Sequence, residues 1–215
     1  MSPPGHGPGR APGVPVRRPA GMDPRAEAIT VGHLLTMRAG LERTSGANYG
    51  AWVSSPNWVT YALTRPFEAE PGGRMLYSTG SFHVLGAALA RVTGGNLLTL
   101  TREWIGAPLR IEIPPWTRDP QGYYFGGNEM GLTPRAMLAF GEMARKDGDG
   151  VLSGDWMHAA MQVRTRSPYS GLDYGYGWFL GRADGTDIAL ARGYGGQIIC
   201  IAPDRQTTVV ITSDI

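Results

Sequence analysis

Tyr77-Ser78-Thr79 is the stretch of this 215-residue chain where side chains suited to proton transfer meet the start of a helix. The tripeptide follows the turn PGGRML and runs into SFHVLGAALARVTGG, in which Phe82, Leu85, Ala88, Leu89 and Val92 recur at helical spacing and Gly94-Gly95 marks the stop. Ser78 or Thr79 is placed to cap the free N–H groups of the first turn. A phenol just ahead of a helix N-terminus sits in a positive field, which lowers the cost of a phenolate and suits a proton-transfer role. The same residue types also fit a half-buried aromatic beside an ordinary N-cap. Ser78 and Ser81 could serve as nucleophiles only with a base, and neither has a lysine or histidine at the spacing that would activate it.

The rest of the chemical inventory is short. Lys146 is the only lysine. Cys200 is the only cysteine, set in the apolar run Ile198-Ile199-Cys200-Ile201, so no disulfide forms within the chain and a buried, inert thiol is expected. His6, His33, His83 and His158 show no H-x-x-x-H spacing and no cysteine cluster accompanies them, so neither a metal nor another cofactor is expected. With 20 Lys+Arg against 18 Asp+Glu, and no basic run beyond the first eighteen residues, nothing points to nucleic acid. No apolar stretch approaches the eighteen or so residues of a membrane span, and the N-terminus lacks the apolar core of an export signal, which leaves a cytoplasmic chain as written.

Positioning these groups falls to one core. A chain of 215 residues with 42% hydrophobic content supports one substantial domain plus a tail. Residues 1–21 (MSPPGHGPGRAPGVPVRRPAG) are rich in Pro, Gly and Arg without periodicity, and are expected to be disordered. They read either as a flexible arm whose arginines touch an acidic partner or as GC-rich codons translated out of frame. From Met22 the composition is globular: an extended lead-in, a helix capped by Thr30, a polar loop, and a helix near Trp58 to Leu63 stopped by Pro66. After the central helix, residues 97–105 continue helical until Gly106 and Pro108. Residues 114–131 form a long irregular loop dense in Pro, Gly, Trp and Tyr, the kind that walls or lids a site. Thr133-Pro134 opens a helix with Met137, Leu138, Phe140 and Met143 inward, and Ser153 opens another with Trp156, Ala159, Ala160 and Val163 inward. Runs at 174–180, 187–191, 195–202 and 207–212 then read as antiparallel strands, an α+β order.

Taken together, ITVGHLLTMRAGL, PGGRMLYST with its helix, GLTPRAMLAFGEMARKDGDGVLSGDWM, and YGYGWFL followed by ARGYGGQIICIAPDRQTTVVITSD resemble the β-lactamase-related serine hydrolases. That family groups class C β-lactamases, D-alanyl-D-alanine carboxypeptidases, esterases and the 6-aminohexanoate-dimer hydrolase. The resemblance covers residues 22–215 and implies a β-lactamase/transpeptidase-like α+β fold, an antiparallel sheet flanked by helices. It also implies three motifs: a Ser-x-x-Lys helix, a Tyr-x-Asn element and a Lys- or His-x-Gly strand. Tyr77 matches the catalytic tyrosine, and Thr79 stands where asparagine is usual. A hydroxyl cannot supply an amide's paired donor and acceptor, which shifts the expectation from β-lactam recognition to ester or simple amide hydrolysis. Tyr194-Gly195-Gly196 is similar to the third motif, with Tyr194 in place of the cation and the Gln197 N–H matching an oxyanion donor. Without the family pattern, the glycine pair reads as a β-bulge.

No Ser-x-x-Lys occurs in the chain; three residues before Lys146 stands Met143. The resemblance therefore implies a partial domain over 22–215, lacking the nucleophile helix and N-terminal strands, and inactive alone. Two alternatives belong to other classes. One is a non-catalytic module binding peptidoglycan-like or acyl ligands, and the other is an interaction protein that self-associates through an exposed sheet edge. By resemblance the complete family member acts on a small-molecule ester or amide and is often exported.

Overall fold

The computed structural model describes residues 18–213, so the arm expected over 1–21 lies, up to residue 17, outside the described residues. Asp23 starts a 3-10 helix, Pro24–Ala28, by accepting the Arg25 N–H, where composition predicts an extended lead-in. In α1 (Val31–Leu35) Thr30 and His33 cap each other reciprocally. A further helix, α2 (Tyr49–Val53), lies in a stretch whose polarity reads as loop. Next, α3 (Trp58–Leu63) falls where its period places it, with the Asn57 side chain accepting the Thr60 N–H. The central helix α4 (Thr79–Thr93) ends on Gly94 in the left-handed conformation. Helix α5 (Leu97–Thr101) continues through a π turn (Arg102–Gly106) into α6 (Ala107–Leu109), so Pro108 sits inside the last turn rather than stopping the helix. Both α7 (Pro134–Arg145) and α8 (Gly154–Ala160) begin at the predicted caps, Thr133 and Ser153.

Six strands, β1 (Thr165–Arg166), β2 (Asp173–Tyr174), β3 (Phe179–Ala183), β4 (Thr186–Arg192), β5 (Ile198–Ala202) and β6 (Thr207–Ile211), form one antiparallel sheet in sequence order. The run read as one strand over 174–180 is two, because Gly177 (φ 81°) turns the chain back so that Tyr174 pairs with Phe179. Cross-strand register sorts the sheet into two faces. Leu180, Ala189, Ile201 and Thr208 lie opposite one another, as do Ala191, Ile199 and Val210, and this face carries α7 and α8 through Met137, Phe140, Ala144, Met157 and Ala160. Gly141 lets α7 approach closely: a Cβ there would lie 2.6 Å from Ile199 Cγ2 and 2.7 Å from Thr208 Cγ2.

Phe179, Leu190, Cys200 and Val209 line the opposite face. Its inner end, Tyr174 and Phe179, packs on Met37 and Met75 with Tyr77, Phe82 and Leu190 around them. Some expected inward faces do not hold. In α4 the buried residues are Gly80, Ser81, His83, Gly86, Ala87 and Ala90, while Leu89 and Val92 are exposed. The helix packs through its small side, because close approach of α3 and residues 126–127 leaves no room for larger groups. Leu138, Trp156 and Val163 are likewise exposed, Trp156 lying against the Tyr176 ring.

Candidate active site

The start of α4 is held by hydroxyls from a distant loop. Ser78 occupies the N-cap position, yet its side chain makes no capping bond. Its Oγ instead accepts the Thr44 N–H and pairs with Thr44 Oγ1, each at 3.1 Å. The free N–H groups of the first turn are satisfied from outside: Thr79 N–H donates to Ser45 Oγ and Gly80 N–H to Thr44 Oγ1, both at 2.9 Å. Thr79 Oγ1 closes the lattice with Ser45 Oγ at 2.9 Å. The predicted self-capping is therefore replaced by a cap delivered from 34 residues away, and the Thr79 hydroxyl is committed to it. Two hydroxyls in a polar loop, Thr44 and Ser45, leave no local signal of this duty.

With its neighbours pinned, Tyr77 is half-buried and stacked on Phe179, ring centroids 6.2 Å apart. Burial raises its phenol pKa above the ordinary 10, and the positive charge of Arg192 opposes that rise without cancelling it. The phenolate is not favoured at rest, because burial outweighs the pull of Arg192. At neutral pH Tyr77 is a protonated phenol able to donate or relay a proton. Tyr174, buried beside it, is pushed up further still, mainly by desolvation.

Tyr194-Gly195-Gly196 is not on a strand. Gly195 (φ 74°) and Gly196 (φ 87°), both left-handed, make a tight turn between β4 and β5, closed by the Gly193 N–H donating to the Gln197 carbonyl at 2.8 Å. Two left-handed residues in succession cannot continue a ladder, which also displaces the bulge reading. Ser213 Oγ donates to the Gly195 carbonyl and Gln197 Nε2 to the Ser213 carbonyl, fixing the turn to the chain beyond β6. Tyr194 is 81% exposed, so its ring packs on almost nothing. Tyr77 and the turn lie toward the same end of the sheet: Arg192, the last residue of β4, has its guanidinium carbon 5.4 Å from the centre of the Phe179 ring on which Tyr77 stacks. Neither Arg192 nor the Thr44–Ser45 cap is conspicuous in the sequence.

The remaining candidates lie elsewhere or are closed off. Lys146 caps α7, which packs on the face of the sheet opposite Tyr77, and faces Asp149 at 3.8 Å. Ser78 and Ser81 are buried. Cys200 is half-exposed rather than buried, since it points to the open face of the sheet, and partial burial raises its thiol pKa. His83 is fully buried among Trp52, Trp58 and Phe125, with Nε2 3.0 Å from Asp119 Oδ2 and Nδ1 accepting the Gly126 N–H at 3.3 Å. Burial lowers its pKa, against the pull of Asp119. Both ring nitrogens are engaged, so this pair locks the 114–131 loop to α4 and has no free position for catalysis. The loop then lies over the first turn of α4: a Cβ on Gly127 would lie 2.4 Å from Thr79 Cγ2.

The profile of the family described as Beta-lactamase matches residues 14–214. The chain belongs to the Beta-lactamase family. Its fold agrees with that of solved structures in which the same architecture is larger. It matches the octameric penicillin-binding protein homologue from Pyrococcus abyssi at TM-score 0.68 and 18% identity over 85% of this chain and 51% of the other. A Bacillus anthracis protein assigned as a 6-aminohexanoate-dimer hydrolase matches at TM-score 0.71 and 18% identity, over 85% and 54%. A D-stereospecific amidohydrolase from Streptomyces sp. matches at 0.67 and 17%, over 85% and 66%. This Beta-lactamase family chain thus spans about half to two thirds of the length of those structures. No curated protein matches the sequence. Among the described residues no helix is long and apolar enough to cross a membrane, and no cluster of three His, Cys, Asp or Glu side chains is placed to hold a metal.

Proposed function

We propose that this chain carries the proton-transfer and substrate-binding part of a serine hydrolase site, with Tyr77 as the proton-relay group and the 193–197 turn as a backbone wall for an acyl ester or amide. On this reading it binds such ligands and does not turn them over alone. The observation that carries the proposal is the stacked, half-buried Tyr77 beside Arg192, within a family fold whose sequence contains no serine one helical turn before a lysine. Acyl transfer needs an activated nucleophile, and losing members of that unit costs several orders of magnitude in rate even when oxyanion donors remain. The buried hydroxyl of Ser78, tied to Thr44, supports the same reading.

Incubation of the 215-residue chain with a fluorophosphonate and with a fluorescent penicillin, followed by mass spectrometry, tests this. No labelling is expected, nor hydrolysis of a chromogenic cephalosporin or p-nitrophenyl ester above background. Stoichiometric labelling at Ser78, Ser81 or any other serine would make the chain an enzyme with its own nucleophile and end the proposal.

A further inference from the structure

The partners of His83 fix where its proton sits. A carboxylate accepts and a backbone N–H donates, so the ring is neutral with its proton on Nε2, given to Asp119 Oδ2 at 3.0 Å, while bare Nδ1 accepts the Gly126 N–H at 3.3 Å. Two separate points of the 114–131 loop are thereby tied to one residue of α4. Asp119 Oδ1 also gathers the Gln121 and Tyr123 N–H groups, so the turn at 119–123 is bound to the same carboxylate. A second proton has only Nδ1 to go to, and there it would face the Gly126 N–H, donor against donor, on a ring with no exposure to water. We propose that protonation of His83 loosens the 114–131 loop, which makes that loop an acid-released cover over the start of α4. Gly126 runs so close to α4 that a Cβ on it would lie 2.4 Å from the Phe82 carbonyl oxygen, and Gly127 lies against Thr79, two residues beyond Tyr77. Release bares that helix start.

The surroundings set the direction of the effect. Trp52 of α2, Trp58 of α3 and Phe125 of the loop enclose the ring, and none of them titrates. Among the described residues Asp119 is the charged group that acts on it, and burial outweighs its pull, so the closed loop resists the proton. Tyr49 and Tyr61 border the same aromatic cluster, with Arg65 over the Tyr61 ring at 4.2 Å and Arg118 over the Tyr124 ring at 4.3 Å. Both of those cations disfavour a second positive charge rather than attract it. Opening admits water to the imidazole, which then binds a proton at its ordinary 6.5. The advantage of the closed state is therefore complete above that value and falls below it, by up to about tenfold in the opening constant per pH unit. Buried Phe125, whose carbonyl accepts the Trp116 Nε1–H, holds the loop at every pH, so His83 sets the slope and the aromatic cluster the baseline.

Hydrogen exchange at single amides of the full chain between pH 7.5 and 5, corrected for intrinsic exchange, reads the opening. The Gly126, Gln121 and Tyr123 amides should open more often than those of β5, which is paired on both sides, and their opening constant should rise at least about tenfold over that range. His83→Gln, which can hydrogen-bond but not titrate, should flatten the rise. His33→Gln should leave it intact, because the other histidine of lowered pKa lies at α1 and stays closed when only the loop opens. Nitrogen-15 shifts of the His83 ring at pH 7.5 should report the Nε2–H tautomer. Loop amides that open only together with those of β5, a rise that survives His83→Gln, or an Nδ1–H ring would each overturn the proposal. If His83→Gln does not fold, the wild-type amides and tautomer still decide it, since a flat wild-type profile is equally fatal.

Discussion

At the scale of single residues, His83 shows how a buried polar group can serve architecture rather than chemistry. The imidazole is closed inside an aromatic box, and its two nitrogens and the facing carboxylate are all satisfied, Asp119 Oδ1 taking the Gln121 and Tyr123 N–H groups as well. His83→Ala would strip the buried Asp119 Oδ2 of its partner and leave an empty space, and should cost roughly 3–5 kcal/mol in urea denaturation. The lowered pKa fixes the sign of a pH effect. The unfolded chain takes up the proton first as pH falls, so the contribution is complete above about 6.5 and declines below it until the folded histidine itself protonates. His33, whose pKa is also lowered by burial and by Arg38, contributes with the same sign. Comparing wild type with His83→Gln, which can hydrogen-bond but not titrate, isolates the His83 share: the variant should lose less stability between pH 7.5 and 5. Parallel slopes would mean that the pair does not govern acid sensitivity.

At the scale of elements, the lattice of Thr44, Ser45, Ser78 and Thr79 makes α4 dependent on a loop far away in sequence. Thr44→Val keeps the shape but removes the acceptor for the Gly80 N–H and the partner of Ser78 Oγ, both buried. A loss of about 1–3 kcal/mol is expected, read as a shift in denaturation midpoint with unchanged slope. A loss within a few tenths would show that water caps the helix as well. What was legible in the sequence follows the same division between local and distant causes. Thr30, Asn57, Thr133 and Ser153 start their helices through bonds to residues three positions on, so the sequence pattern finds most of them. Ser78 does not, because the partner that claims its oxygen is 34 residues away. The buried side of α4 is missed for a related reason: small residues were selected by the close approach of Thr44, Ala62, Leu97 and Gly126, which periodicity of large apolar residues cannot see. Tyr77 stands out by its place ahead of a helix, Tyr194-Gly195-Gly196 only by resemblance and as strand rather than turn, and Arg192 emerges only from strand register.

At the scale of the whole molecule, the sheet is covered unevenly. One face is sealed by α7 and α8, yet β5 and β6 are apolar on both faces, as strands buried on two sides are. On the other face Cys200 is half-exposed, and Val209 and Ile211 are 44% and 48% exposed. β6 also ends the sheet among the described residues: its five residues, TTVVI, are all β-branched, carry no charge and contain no proline, and its outer edge offers unpaired backbone groups. Nothing in that strand guards against pairing with another edge. This edge motivates the expectation that the chain self-associates. Antiparallel pairing of two β6 edges about Val209 would oppose Thr207 to Ile211 and Thr208 to Val210, extending the sheet across a two-fold axis. Sedimentation at increasing concentration should show a dimer or larger species. Val209→Lys places two like charges directly opposite each other at the axis and should shift the population to monomer. A wild-type chain that stays monomeric and melts cooperatively across that range would show that the open face and edge are tolerated in water as they stand.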